Sequence, residues 1–214
     1  MNLGRALSKY ASADTPAAPR AAETCELCAA PIDQSHAHVV DLHAQRLCCA
    51  CRACALLFSE RGAALGRYRT VPRRVLRDPA FELDEATWAA LEIPVRLSFM
   101  FYHSAGACWL ALCPSPAGIT ETEPSPAGLS RLVERSALAR SAEPDVEALL
   151  VYGPPGAPLR MLLVPIDSCY ELAALVRQSW TGPSGGDTRQ EVAAFMQRLS
   201  DRSRVLDAAA AGAP

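Results

Sequence analysis

Nine of the 214 residues are cysteine, and six of them crowd into one stretch: Cys25, Cys28, Cys48, Cys49, Cys51 and Cys54. Cys25-Glu-Leu-Cys28 and Cys51-Arg-Ala-Cys54 form two CxxC pairs separated by 22 residues. A CxxC turn presents two sulfurs from one tight knuckle, with backbone N–H groups directed at them. Two such knuckles complete a tetrahedral four-thiolate site, which suits Zn²⁺ because that ion has no d-electron preference for another geometry. Cys25, Cys28, Cys51 and Cys54 are therefore the expected ligands. Zinc is the expected metal, held in a closed structural site.

Three neighbours compete for places in that set. Cys48 and Cys51 make an overlapping CxxC, Cys49 alternates with Cys51 along the chain, and His38 lies between the knuckles. Cys49, Cys48 and His38 are thus alternate ligands. The extra thiols keep iron as the alternative metal, either as a rubredoxin-like centre or as an iron–sulfur cluster. Rubredoxin knuckles carry Gly or Pro close behind their cysteines, whereas Ala29-Ala30 and Ala55-Leu56 follow here. His36, His38 and His43 between the pairs also suggest the frame of an HNH nuclease, a remote alternative that would bind nucleic acid. That frame lacks an adjacent His-His or Asp-His pair, and no His follows Cys54. His36, His43 and His103 read as solvated surface residues.

The elements that must position these residues can be read from the pattern. His38-Val-Val-Asp-Leu and Gln45-Arg-Leu-Cys-Cys can fold back as a strand pair between the knuckles. Ala55-Leu-Leu-Phe-Ser opens a helix whose N-terminus would favour the thiolate forms of Cys51 and Cys54. Knuckle, hairpin and knuckle at a helix start outline a small treble-clef or zinc-ribbon-like four-cysteine module over residues 23–59. Residues 1–22 lack periodicity and read as a disordered arm, and 207–214 as a disordered tail. Residues 60–80 read as a linker dense in arginine (Arg61, Arg67, Arg69, Arg73, Arg74, Arg77). It is expected to dock on Glu82, Asp84 and Glu85 or on a partner protein, with nucleic acid as the less favoured partner.

Residues 81–206 read as an α/β domain. EATWAAL at 85–91 is a short helix capped by Asp84. Apolar runs at 94–102 and 107–113 form one hairpin, and 146–152 with 159–166 form another across Gly153-Pro-Pro-Gly156. Helices are expected at 129–138, at 169–180 with Asp167 or Ser168 as cap, and from Thr188 to about Leu206. The overall class is α+β: the four-cysteine module, then a two-layer α/β sandwich of two hairpins with helices on one face. PSPAG occurs twice, at 114–118 and 124–128, and reads as a duplicated turn. The domain carries no catalytic signature, so a non-enzymatic protein is expected.

Composition narrows the classes. Half of the chain is hydrophobic and 21% is charged, which is incompatible with a wholly disordered protein. The net charge of −2 provides no global basic field for nucleic acid. The N-terminus has no apolar core of a signal peptide, and no run of about 18 apolar residues occurs. Those readings predict a cytoplasmic chain without membrane insertion. In the reducing cytoplasm clustered cysteines bind metal rather than form disulfides.

The runs CELCAAPI, HAHVVDL, RLCCACRACALLF, GRYRTVPRR, FELDEATWAALEIPVRLSFMFYHS, PSPAGITET, EPDVEALLVYG, VPIDSCYELAALVRQSW and GPSGG occur in that order. Together they resemble a bacterial family of unknown function whose members occur in gene clusters with nickel–iron hydrogenases. The resemblance spans about Cys25 to Leu199. It implies an accessory, maturation or electron-transfer-associated role, with a hydrogenase subunit or maturation factor as partner. On the family pattern Cys25, Cys28, Cys49, Cys51 and Cys54 are the expected cysteines, and Cys48 is an extra. Two functions follow as expectations. One is a zinc-stapled accessory protein that docks through its α/β domain. The other is a small iron-binding electron-transfer protein serving the hydrogenase.

Overall fold

Val39 and Val40 point to opposite faces of the first strand, and this alternation joins two parts of the molecule. Val39 belongs to a small core with Cys25 and Ala50, whereas Val40 packs into the main core. A computed structural model describes residues 23–154, 156–180 and 186–207. The expected arm at 1–22, the tail from 208 and most of the glycine-rich turn after Trp180 lie outside the described residues.

The N-terminal sheet contains β1 (Ala37–Asp41), β2 (Arg46–Ala50) and β3 (Tyr68–Thr70) in the order β2-β1-β3, all antiparallel. Helix α1 (Arg52–Leu57) follows β2 directly. Residues 60–80, expected as a linker, supply β3 to this sheet and β4 (Leu76–Arg77) to the larger one. Their arginines do dock within the chain, but on other carboxylates than expected. Arg67 binds Asp41, Arg69 binds Glu143, and Arg74 binds Glu147. Asp84 and Glu85 pair instead with Arg135 and Arg96. The partners differ because β3 and β4 carry the stretch past β1 and the start of β8, not past α2.

Helix α2 (Glu85–Ala90) starts as expected, with Asp84 Oδ1 accepting the Thr87 N–H at 2.6 Å. The larger sheet adds β5 (Leu97–His103), β6 (Cys108–Ser115), β7 (Gly118–Thr122), β8 (Glu147–Tyr152), β9 (Arg160–Pro165) and β10 (Arg204–Val205). Its order is β10-β4-β9-β8-β5-β6-β7, antiparallel except where β10 runs parallel to β4. Both expected hairpins are present, joined to each other through β5 and β8.

The α+β class and the N-terminal cysteine cluster match expectation, but the sheet is covered on both faces rather than one. Leu149 and Val151 of β8 meet Trp88 of α2, Leu132 of α3 (Pro126–Arg135) and Leu138 of α4 (Ala137–Ser141). Ala148 and Leu150 meet Cys169 and Leu172 of α5 (Ile166–Ser179) and Phe195 of α6 (Gly186–Arg202). The reason lies in the strand: five consecutive residues from Glu147 to Val151 are buried, and a strand buried on both sides needs two layers of cover.

Other boundaries moved for local reasons. The expected 129–138 helix divides at Ser136, whose hydroxyl accepts the Ala139 N–H and caps α4. Helix α5 begins directly after β9 with Pro165 at its N-cap, so neither Asp167 nor Ser168 serves as the cap. The chain after α6 becomes β10 because the N–H groups of Arg204 and Leu206 donate to Val75 and Arg77. Among the described residues no helix is long and apolar enough to cross a membrane.

Candidate metal centre

The first knuckle is built by backbone hydrogen bonds around Cys25. Its N–H donates to Ala30 O and its carbonyl accepts from Ala29 N, both at 2.8 Å, while Thr24 and Pro31 bridge across the base. The turn places Ala29 at φ +60°, a left-handed conformation that glycine adopts without steric cost. The missing glycine noted in the sequence therefore coincides with the position where backbone strain is stored.

The second knuckle is the start of α1. Cys51 occupies the N-cap, and its Sγ accepts from the Cys54 N–H at 3.5 Å. Glu26 clamps the two knuckles through β2: its backbone N–H donates to Cys49 O, and its carboxylate accepts from Cys49 N and Arg46 Nη1. The result brings Cys25, Cys28, Cys51 and Cys54 together, each sulfur within 4.8 Å of the others. Cys28 Sγ and Cys51 Sγ lie 3.7 Å apart. A tetrahedral ion with metal–sulfur bonds of about 2.3 Å separates its ligands by about 3.8 Å, so the spacing fits such an ion.

Electrostatics inside the cluster follow from burial and amide direction. Burial alone would raise the Cys25 thiol, but N–H groups of Cys51, Leu27 and Cys28 outweigh it and bring the pKa to about 6. The Cys54 N–H lowers Cys51 despite its partial burial. Burial and the neighbouring sulfurs push Cys54 up to about 12. The Ala30 N–H draws Cys28 down, yet the sulfurs of Cys25 and Cys51 leave it raised. The cluster thus shifts Cys25 and Cys51 toward the thiolate and Cys28 and Cys54 toward the thiol. A cation entering there would displace the remaining protons and gain four sulfur donors.

The alternates stand elsewhere. Cys48 is fully buried, paired across the hairpin with Val39, and burial raises its thiol. It lies outside the four-thiol group. Cys49 and His38 are direct cross-strand partners. With His36 they form a second group whose ligand atoms lie within 4.8 Å of one another. His36 was expected as a surface residue, yet its Nε2 is buried without a hydrogen-bond partner. The available signal was the His-Ala-His spacing, because residues two apart on a strand share a face. Asp167, expected as a helix cap, was the other residue missed: its Oδ2 lies 2.9 Å from His38 Nδ1. His103 is hydrogen-bonded, with Nε2 3.1 Å from Gln45 Nε2.

Cys113 and Cys169 are core residues of the larger domain. Free Cys in such positions acts as a small hydrophobe. Trp88 lies in the core, and Trp180 is 43% exposed.

A family model described as "Family of unknown function (DUF5947)" matches residues 24–203. No curated protein and no solved structure matches the chain.

Proposed function

From the premise that this chain belongs to the DUF5947 family, whose model spans most of it, we propose a non-enzymatic accessory protein of a nickel–iron hydrogenase system. In this reading its N-terminal module is stapled by structural zinc at Cys25, Cys28, Cys51 and Cys54. The carrying observation is the all-thiol cluster itself, four sulfurs within 4.8 Å presented by two rigid knuckles. The module needs such a staple. Its own core cluster is small, centred on Cys25, Val39 and Ala50, so a bound metal would supply much of its cohesion.

Docking is proposed through the face that the module leaves apolar. Leu56 and Leu57 on α1 are 63% and 65% exposed, and Leu65 in the following turn is fully exposed. Large apolar side chains left exposed favour a protein partner over a solvated surface. The gene-cluster resemblance supports a hydrogenase subunit or maturation factor as that partner.

Metal analysis and an absorption spectrum of anaerobically purified protein test the centre. Colourless protein containing zinc, with one equivalent lost in Cys51→Ser, supports the structural-zinc reading. Visible absorbance bleached by dithionite would replace it with the iron electron-transfer reading. Binding to purified hydrogenase subunits, abolished by Leu56→Asp/Leu57→Asp, tests the docking face; equal binding by the variant would overturn it.

A further inference from the structure

We propose that His36, His38 and Cys49 form a second metal site, separate from the four-thiol centre, which takes a zinc-class divalent cation and leaves one coordination position open. The placement follows from strand geometry. His38 and Cys49 oppose each other across the β1–β2 pair, where side chains on one face approach within about 5.5 Å at Cβ. His36 precedes β1 by one residue and lies two before His38, so both imidazoles come to the same side. Their rings meet edge to face with centroids 4.9 Å apart. Ligand atoms from all three residues fall within 4.8 Å of one another.

The surrounding hydrogen bonds orient both rings for coordination. His36 Nδ1 lies 2.8 Å from the Asp33 carbonyl oxygen, and His38 Nδ1 lies 2.9 Å from Asp167 Oδ2. Carbonyl and carboxylate oxygens only accept, so each Nδ1 carries the donated proton. In the neutral imidazole that assignment leaves Nε2 with its lone pair. At His36 this atom is buried and has no partner, an unsatisfied acceptor that a cation would satisfy. Metal-ligating histidines ordinarily donate their second ring nitrogen to a carboxylate or carbonyl, the arrangement present here twice. Two imidazoles and one thiol constitute a borderline donor set suited to zinc and its neighbours rather than to calcium or magnesium.

Three protein ligands make an open site, in contrast to the closed four-thiol one. His36 and His38 line a cleft at the seam between the cysteine module and α5, together with Ser35, Arg73, Ser168 and Arg202. Asp167 and Glu171 line the same cleft and offset its two arginines, so water is the ligand that the open position would accept.

The test titrates cobalt(II), a spectroscopic substitute for zinc, into untagged, metal-stripped full-length protein under anaerobic conditions. Two equivalents should bind, one with the intense charge-transfer absorption of four thiolates. His36→Ala and Cys49→Ser should each bind one equivalent while retaining that absorption, which also reports an intact module. Asp167→Asn, on α5 and outside the cysteine module, should weaken only the second ion by about 10- to 100-fold. Binding of a single equivalent by the wild type would overturn the proposal. So would two equivalents in His36→Ala, or loss of both ions in Cys49→Ser with Asp167→Asn unchanged. Failure of the four-thiol reading would show separately, as absence of the charge-transfer band.

Discussion

Arg74 grips Glu147 with two parallel hydrogen bonds, Nε to Oε1 at 2.6 Å and Nη2 to Oε2 at 2.7 Å. Glu147 has no exposed side-chain surface although it opens the central strand β8. Its second oxygen also accepts the Glu143 N–H at 3.0 Å. The fork connects the stretch leading into β4 with the middle of the large sheet. A buried carboxylate is tolerated there because guanidinium and amide donors replace its water.

Arg74→Ala should therefore destabilise the protein by about 3 kcal/mol, because it leaves a charge buried without its partner. Urea unfolding would measure this as a lower midpoint with an unchanged slope. Arg74→Lys should recover only part of the loss, since a lysine cannot make both bonds. An unaltered midpoint in Arg74→Ala would show that the fork contributes nothing.

Asp41 supplies the pH dependence. Its buried carboxylate receives Arg67 Nη2 at 2.7 Å and the N–H groups of His43 and Ala44. Arg67, foremost, holds it well below the usual carboxylate range despite the cost of burial. A depressed folded-state pKa stabilises the protein above the unfolded value of about 3.9, and the contribution is lost as pH falls through the folded value. Asp41→Asn should be less stable than wild type at neutral pH, and the gap should narrow between about pH 5 and pH 2. Parallel stability curves would refute the assignment.

Gly128 marks a close helix approach. A Cβ built there would stand 2.2 Å from Ala90 O and 2.7 Å from Leu91 N, so α3 touches the backbone end of α2. Gly128→Ala should cost about 3 kcal/mol through forced separation of the helices, outweighing its better helix propensity. Thermal unfolding should show the loss. A stabilised variant would mean that the two helices separate freely.

Cys48 separates packing from ligation. Cys48→Ala should keep the full metal content of the wild type, with only a small loss of stability from the missing sulfur. Cys25→Ala should lose the four-thiol ion and expose the module to trypsin at Arg46 and Arg67, while the α/β domain stays protected. Metal analysis with limited proteolysis distinguishes the two, and loss of metal in Cys48→Ala would redraw the ligand set.

What the chain determined locally is the four-thiol cluster. Each CxxC closes a short turn, and only a hairpin's length separates the two pairs, so Cys25, Cys28, Cys51 and Cys54 could be grouped from spacing alone. The Asp84 cap and the two large hairpins were legible for the same reason: turns, caps and strand periodicity depend on neighbours in sequence. Cys48 and Cys49 could not be separated that way. Strand register sends Cys48 opposite Val39 into the interior and Cys49 opposite His38, a distinction of one residue that only pairing defines. Asp167 lies 129 residues from His38, and no local pattern links them. PSPAG states the limit most directly. In its first copy Pro114 and Ser115 end β6 and Gly118 begins β7 at φ +132°, whereas in its second Pro126 starts α3 and Gly128 packs on α2. Identical residues hold identical local preferences; the runs that follow them, ITET paired on β6 and LSRLVER continuing α3 against α2, separate strand from helix.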